Sequence, residues 1–589
     1  MERRAEVRRP RSPYSSMTYS IFHSTKALQV FLECFTALAI VLAWRYPGLA
    51  VRPYRRFESA LGSLTTYRWR AIVAAGAFPL LIRLALLPVF PIPEPRVHDE
   101  FSYLLLSDTL AHHRLANPTP PYWQHFETEY ELVRPSYASQ YQPAQGVALA
   151  VGQTLLGNPW WGVWLSVGLM CAAICWSLSF AMPLRWALFS AVIAGLQFGV
   201  FGFWMNSYFG GAVPAIGGAL IFAMLAARKP SVAVWAAAGL GIVIVLASRP
   251  AEGFIWLGIV AIAMLYRRTT WRCAGAMAIV LAAGAAGLGA YNHAITGNAL
   301  ESPYVAYRQD YGTPQSYWWQ PPVIVSSFDH HELKANYQDQ LRYWQRRYSA
   351  SALWASTWRR LRDFWRFFIG PFLTPAALFA LFAVRRKKVR VWFLVSLPFI
   401  LDHATYHAWY PQQSASETVL ILLLIVEGWR GLRVWRRRSG TGLALSRNLA
   451  AGLTTACALL CAGLVILPAL PSSLNGVRRV WDTMSTTASA RTLAIRRLNR
   501  IPGKHLVFVN YGPTHPWYEE WVFNGADLNE SRIVFARMCT PESDRRLMDA
   551  FSDRDVWIAS PDAGPLLARL DRSQLLLARQ LIGNQDGNR

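Results

Sequence analysis

The feature that most constrains the fold is a succession of apolar stretches, each near the roughly 20 residues a helix needs to cross a bilayer. They fall near 71–91, 158–180, 183–204, 207–227, 232–248, 251–266, 273–291, 365–384, 391–408, 413–429 and 448–470. Only 16% of the 589 residues are charged, against about 25% in soluble domains. That balance excludes a disordered chain and argues against a soluble enzyme. The 26 Trp and 24 Tyr suit a protein with two membrane interfaces, where amphipathic rings sit at headgroup level. The expected class is therefore a polytopic α-helical membrane protein with about 11–12 transmembrane helices. The twelfth candidate, 27–44, is short and contains Glu33, so it either spans or lies flat at the interface.

Direction follows from the short loops. The chain carries 59 Lys+Arg against 34 Asp+Glu, a net charge of +25. The excess is spread through loops: Arg45 to Arg70, Arg228-Lys229, Arg267-Arg268, Arg385 to Lys388 and Arg433 to Arg438. Placing these inside puts 92–157, 249–250, 292–364, 409–412 and everything after 470 outside. Nucleic-acid binding is excluded, because the basic residues form no single patch. Three units result: a basic tail with one possible helix at 1–70, a membrane domain at 71–470, and a polar C-terminal segment at 471–589. That last segment alternates short apolar runs (505–510, 532–536, 555–559) with a helical pattern at 542–551, which reads as a small α/β domain. Six of the seven cysteines lie in apolar stretches and Cys539 stands apart, with neither a disulfide framework nor a zinc motif in the spacing.

The first outside loop holds the chemistry. A Pro-rich exit (Pro91, Pro93, Pro95) is followed by His98-Asp99-Glu100-Phe101-Ser102-Tyr103, and then by a helical pattern with an apolar face suited to the interface. A carboxylate there can serve as general base toward a hydroxyl, and Asp99 can equally cap the helix that follows. The run from His98 to Ala111, with the aliphatic span and Pro-rich exit before it, resembles the type-C glycosyltransferase superfamily, to which protein O-mannosyltransferases and lipid A aminoarabinose transferases belong.

The resemblance implies an inverting transferase of the bacterial inner membrane, facing the periplasm. Its donor would be a polyprenyl-phosphate sugar and its acceptor a protein, lipid or glycan of the envelope. Asp99 would deprotonate or orient the acceptor hydroxyl, with Glu100 beside it. The departing lipid phosphate needs cations. Arg249, in an outside turn with Glu252, is one candidate, although a snorkelling Arg249 paired with Glu252 reads equally well. His403 is the second. His98, Tyr103, Asn206, Tyr208 and Glu252 are candidate sugar contacts. No cofactor is required, and a divalent metal is an option if His98, His112 and His113 supplement the two acids. Asp329 to Glu332 reads as a polar loop. The basic, aromatic stretch from Arg342 to Arg366 should lie in the headgroup plane. A lipid-linked-sugar transporter, or an envelope protein that docks a partner through its C-terminal domain, are the other readings. Against the transporter, the ionisable residues gather at the outer face and no repeat is visible.

Overall fold

The computed structural model describes residues 26–46, 51–88, 90–266, 269–313, 317, 319–345, 350–406, 409–434, 448–456, 459, 489–513, 515–517, 519–562 and 566–570. The N-terminal arginines, Arg267-Arg268, Trp318, His407, the basic run 435–438 and most of stretch 448–470 lie outside them.

The chain begins with α1 (Lys26–Arg45), α2 (Val51–Leu64) and α3 (Arg68–Ala85). The first joins the bundle, with Phe35 edge-on to Phe372 and Ala43 against Gly452. In the first outer loop, α4 (His98–Ala111) precedes three short strands, β1 (Asn117–Pro118), β2 (Glu131–Leu132) and β3 (Ser136–Ser139). These form an antiparallel sheet in the order β1-β3-β2. The loop then returns through α5 (Pro143–Leu156). The bundle continues with α6 (Trp160–Leu178), α7 (Leu184–Ala194), α8 (Ala212–Ala226), α9 (Val232–Leu246), α10 (Pro250–Tyr266) and α11 (Trp271–Thr296). The second outer loop carries α12 (Pro303–Tyr311), α13 (His331–Gln345) and α14 (Ala350–Phe364). Then come α15 (Gly370–Ala383), α16 (Lys387–Thr405) and α17 (Thr418–Val434), with 448–456 also helical.

A helix starts within a few residues of each expected span. Among the described residues, and by length and composition alone, three helices are long and apolar enough to cross a bilayer: Trp160–Leu178, Trp271–Thr296 and the 33-residue run Ser351–Ala383. Leu184–Val200, Ala212–Ala226, Val232–Leu246 and Pro250–Tyr266 are apolar but shorter. Pro183 and Pro250 stand at helix starts, where the missing N–H costs no hydrogen bond. The bundle packs through small residues. A Cβ on Gly218 would sit 1.7 Å from the Ser416 carbonyl, so glycine there lets α8 touch the turn that carries Ser416 and Glu417.

The basic, aromatic stretch divides. Its first residues, 342–345, close α13, whose earlier turns bury Glu332, Asn336 and Gln340 and whose Asp339 accepts from the Trp517 indole of the C-terminal domain at 3.1 Å. Its second part, α14, leaves Trp354 and Trp358 exposed and continues into the 33-residue run.

The C-terminal segment folds as expected, with α18 (Ala490–Leu498), β4 (Lys504–Val509), β5 (Ile533–Arg537), α19 (Pro541–Ala550), β6 (Arg554–Ala559) and β7 (Leu567–Arg569). The sheet order is β5-β4-β6-β7, with β4 parallel to both neighbours and β7 antiparallel. Buried on both faces, β4 reads as the unbroken run Leu506-Val-Phe-Val509. One face shares a core with the first outer loop: Leu506, Phe508, Val534 and Leu547 pack with Leu105, Phe126, Val133 and Tyr137. The helix α4 therefore does not lie on the membrane surface. Leu105 faces the C-terminal domain, Leu106 faces a second core with Tyr291 and Tyr307, and Phe101 stacks on Phe523 at 4.1 Å. Aromatic burial of this size outweighs interfacial adsorption.

Candidate active site

The site begins at the first turn of α4. Val97 is the N-cap and has no side chain able to serve. Glu100 fills that role instead: its Oε2 accepts from the Arg96 N–H at 2.8 Å and the Val97 N–H at 3.2 Å. Its Oε1 accepts from the Tyr208 N–H at 2.9 Å. Burial pushes the Glu100 carboxyl up, and these three amides pull it back. Both oxygens are thus committed to backbone, which corrects the catalytic assignment of Glu100. It fixes the start of α4 and ties it to the turn at 208.

Asp99 projects differently. It does not cap the helix; its Oδ1 accepts from the Tyr141 hydroxyl. Tyr141 is stacked on Tyr103 at 4.4 Å, and its carbonyl accepts from the Tyr291 hydroxyl at 2.7 Å. Burial raises the Asp99 carboxyl to about 6, opposed by the Tyr141 hydrogen bond and by the charge of Arg249. Burial also pushes the Tyr103 phenol up, with Arg249 opposing and Asp99 adding to the rise. Asp99, Tyr103 and Arg249, which lie 146 to 150 positions apart at the extremes, therefore share one electrostatic environment.

Arg249 lies at the outer turn between α9 and α10. Its Nε is 3.8 Å from Glu252 Oε1 and makes no hydrogen bond, although it is buried. Glu252 Oε2 accepts from the Ser416 hydroxyl at 2.5 Å, and Ser416 also accepts from the Trp256 indole at 3.1 Å. Next to it, His403 Nε2 lies 2.7 Å from Glu417 Oε1 and its Nδ1 3.4 Å from Asp402 Oδ2. The Tyr317 hydroxyl donates to Asp402 at 2.7 Å. Arg360 of α14 clamps the end of α16, donating to the carbonyls of His403, Ala404 and Tyr406 at 2.9, 2.5 and 2.9 Å. The ring of His403 is held between two carboxylates, so its expected role as a phosphate ligand is not supported by its partners. Orienting Glu417 beside Glu252 is the role they suit.

Two other expected contacts are spent elsewhere, and a third, His98, is packed among aromatic rings. The Asn206 amide donates to the Gly202 carbonyl at 2.7 Å and the Val200 carbonyl at 3.1 Å, and its oxygen accepts from Arg83 Nε at 3.2 Å. The Tyr208 hydroxyl donates to the Pro93 carbonyl at 3.0 Å. His98 is turned away, stacked on Trp517 at 5.6 Å and flanked by Tyr130 and Phe523. Burial lowers its imidazole to about 4, so it stays neutral. With His98 under the C-terminal domain and His112 on the Asp108 carbonyl at 2.7 Å, the metal set around Asp99 does not assemble from those residues. In the second outer loop, His330 binds the Gln124 carbonyl at 2.7 Å and Glu332 binds Arg537 at 2.9 Å.

Several residues that hold the site had escaped notice. Arg83 is buried in α3, donates to the Phe90 and Pro91 carbonyls at 2.6 and 3.0 Å, and lies 4.9 Å from the Trp160 ring centre. It welds the Pro-rich exit to the turn around Asn206. An arginine inside an apolar span was the available signal. Glu417 was another, as an acid within the stretch 413–429. Tyr141 carried none, since its partner is 42 residues away.

Fold and site together describe a helical membrane protein in which an acid, Asp99, and an arginine, Arg249, share one environment. No protein-family model and no curated protein matches the chain. Among solved structures, it is similar to the Archaeoglobus fulgidus oligosaccharyltransferase in the apo form, with 10% identity and a TM-score of 0.42 over 81% of this chain and 65% of that one. It is also similar to ArnT from Cupriavidus metallidurans bound to undecaprenyl phosphate, with 12% identity and a TM-score of 0.41 over 86% of this chain and 94% of that one. The chain thus spans 65% of the length of the archaeal enzyme.

Proposed function

We propose that the protein is an inverting glycosyltransferase that moves a sugar from a polyprenyl-phosphate donor to an envelope acceptor at the extracytoplasmic, periplasmic face of the inner membrane. The observation that carries this reading is the buried Asp99 carboxyl, held by Tyr141 in the field of Arg249. A carboxylate raised to about 6 is a stronger base than an ordinary one and still ionised near neutral pH. Asp99 takes the proton of the acceptor hydroxyl as its oxygen bonds to the anomeric carbon. The bond from that carbon to the phosphate oxygen breaks, and the electron pair leaves with the phosphate. Arg249, with its Nε open to a further acceptor, stabilises that charge. Glu252 and Ser416 stand next to Arg249 and suit sugar hydroxyls. Tyr103 forms the wall opposite Phe209 and stacks on Tyr141.

The test uses the full chain in lipid nanodiscs with polyprenyl-phosphate sugars and an envelope extract, following release of free polyprenyl phosphate by mass spectrometry. Wild type should turn over, and a folded Asp99→Asn variant should lose a hundredfold or more, about the contribution of a general base. Equal turnover in the two would sink the role of Asp99. No release with any donor and acceptor would sink the transferase reading.

A further inference from the structure

Where the first loop meets the C-terminal domain, three side chains with metal-binding atoms come together. They are His125 in the short helical turn Trp123–Phe126, Cys539 just after β5, and Asp544 in the first turn of α19. Their ligand atoms all lie within 4.8 Å of one another, and among the described residues this is the one such group. His125 and Asp544 are fully buried and Cys539 is half-buried. No linear motif announces the group, because 414 positions separate His125 from Cys539.

From this arrangement we infer a structural zinc site that staples the first outer loop to the C-terminal domain. His125 Nδ1 is 3.7 Å from Asp544 Oδ1 and 2.8 Å from the Arg537 carbonyl oxygen. The first matches the edge of a zinc tetrahedron, roughly 3.3–3.8 Å for ligands about 2.0–2.3 Å from the metal; the second is a hydrogen bond, which lengthens when the metal replaces the Nδ1 proton. Nδ1, the Cys539 sulfur and the Asp544 carboxylate supply three positions, and the Arg537 carbonyl fills the fourth. The outer contacts that orient such ligands are present. His125 Nε2 lies 2.8 Å from Ser543 Oγ, and Asp544 Oδ1 accepts from the Cys539 N–H at 2.8 Å. When zinc binds, the imidazole proton moves from Nδ1 to Nε2 and donates to Ser543, and the thiol proton goes to solvent. The thiolate selects zinc over magnesium or calcium, which prefer oxygen sets. A zinc here would also lock β5, whose last residue is Arg537.

The site can be tested without activity. The full chain, stripped with a chelator, is treated with zinc or cobalt alone. Zinc at ten times its Kd should slow alkylation of Cys539 by about tenfold, read on its peptide by mass spectrometry. Cobalt should give a thiolate-to-metal charge-transfer band that is absent in Cys539→Ser. Alkylation at the same rate with and without zinc, or cobalt bound with no thiolate band, would overturn the inference. Wild-type alkylation alone decides the matter if the serine variant does not fold. Stoichiometric zinc retained equally by wild type and a folded Cys539→Ser would place the metal elsewhere and also overturn it.

Discussion

Two arginines, one buried and one partly buried, mark two polar centres, and they differ in what is left over. Arg537, under the C-terminal domain, pairs with Glu520, lies 2.9 Å from Glu332 and donates to the Glu127 carbonyl at 2.6 Å. Its pairing holds its own proton affinity above the ordinary value and draws Glu520 below the usual carboxylate range. Each guanidinium nitrogen has its partner. Arg249, at the outer turn, has one carboxylate at 3.8 Å and a buried Nε with no acceptor. A saturated buried charge holds protein together; an unsaturated one waits for a ligand.

The sharpest contrast comes from removing each arginine. Arg537→Ala leaves Glu520 and Glu332 buried without their cation, at a cost of about 3–5 kcal/mol. Thermal unfolding or limited proteolysis should show the C-terminal domain released. Arg249→Ala should leave the unfolding midpoint nearly unchanged while slowing sugar transfer by about a hundredfold, the scale of one lost charge-stabilising donor. If both variants lose stability alike, the distinction between a weld and a ligand site fails.

Smaller effects follow from protonation. Asp99 acts as a base only when ionised, so kcat/KM should rise with pH and reach half its plateau near 6. The Tyr141 hydrogen bond favours the ionised form, so Tyr141→Phe should move that midpoint upward. Near Arg537 the sign for stability is the opposite. Burial raises Glu129 to about 8, so the folded chain keeps a proton that the unfolded chain releases near its ordinary 4.5. The stabilisation is present below about 4.5 and is lost as pH rises toward 8. The melting temperature should decline across that window, and Glu129→Gln should flatten the slope.

The element positions were legible because membrane helices and buried strands write long, local patterns. The runs at 505–510, 532–536 and 555–559 each became a parallel strand. Asp99, Arg249, Glu252 and His403 stand out in the sequence as polar residues at the expected outer ends of apolar stretches. What they do was less so, because function depends on where the other end of each hydrogen bond lies. Asp99 and Glu100 look alike in sequence, yet the helix start turns one toward three backbone amides and the other toward Tyr141. Glu127, Glu129 and Glu131 alternate in a loop, and their partners Tyr311, Asn336 and Tyr137 come from three different segments. No local period encodes such pairings.

The stacking of Phe101 on Phe523 and the bond from the Ala526 N–H to Asp108 also set a timetable. The helix bearing Asp99 is made early, and the surface that supports its back comes some 420 residues later. At roughly 5–20 residues per second, the ribosome needs tens of seconds to supply it. Until then α4 lacks the stacking on Phe523 and the bond from Ala526, so the segment that carries Asp99 is made long before the surface that packs behind it.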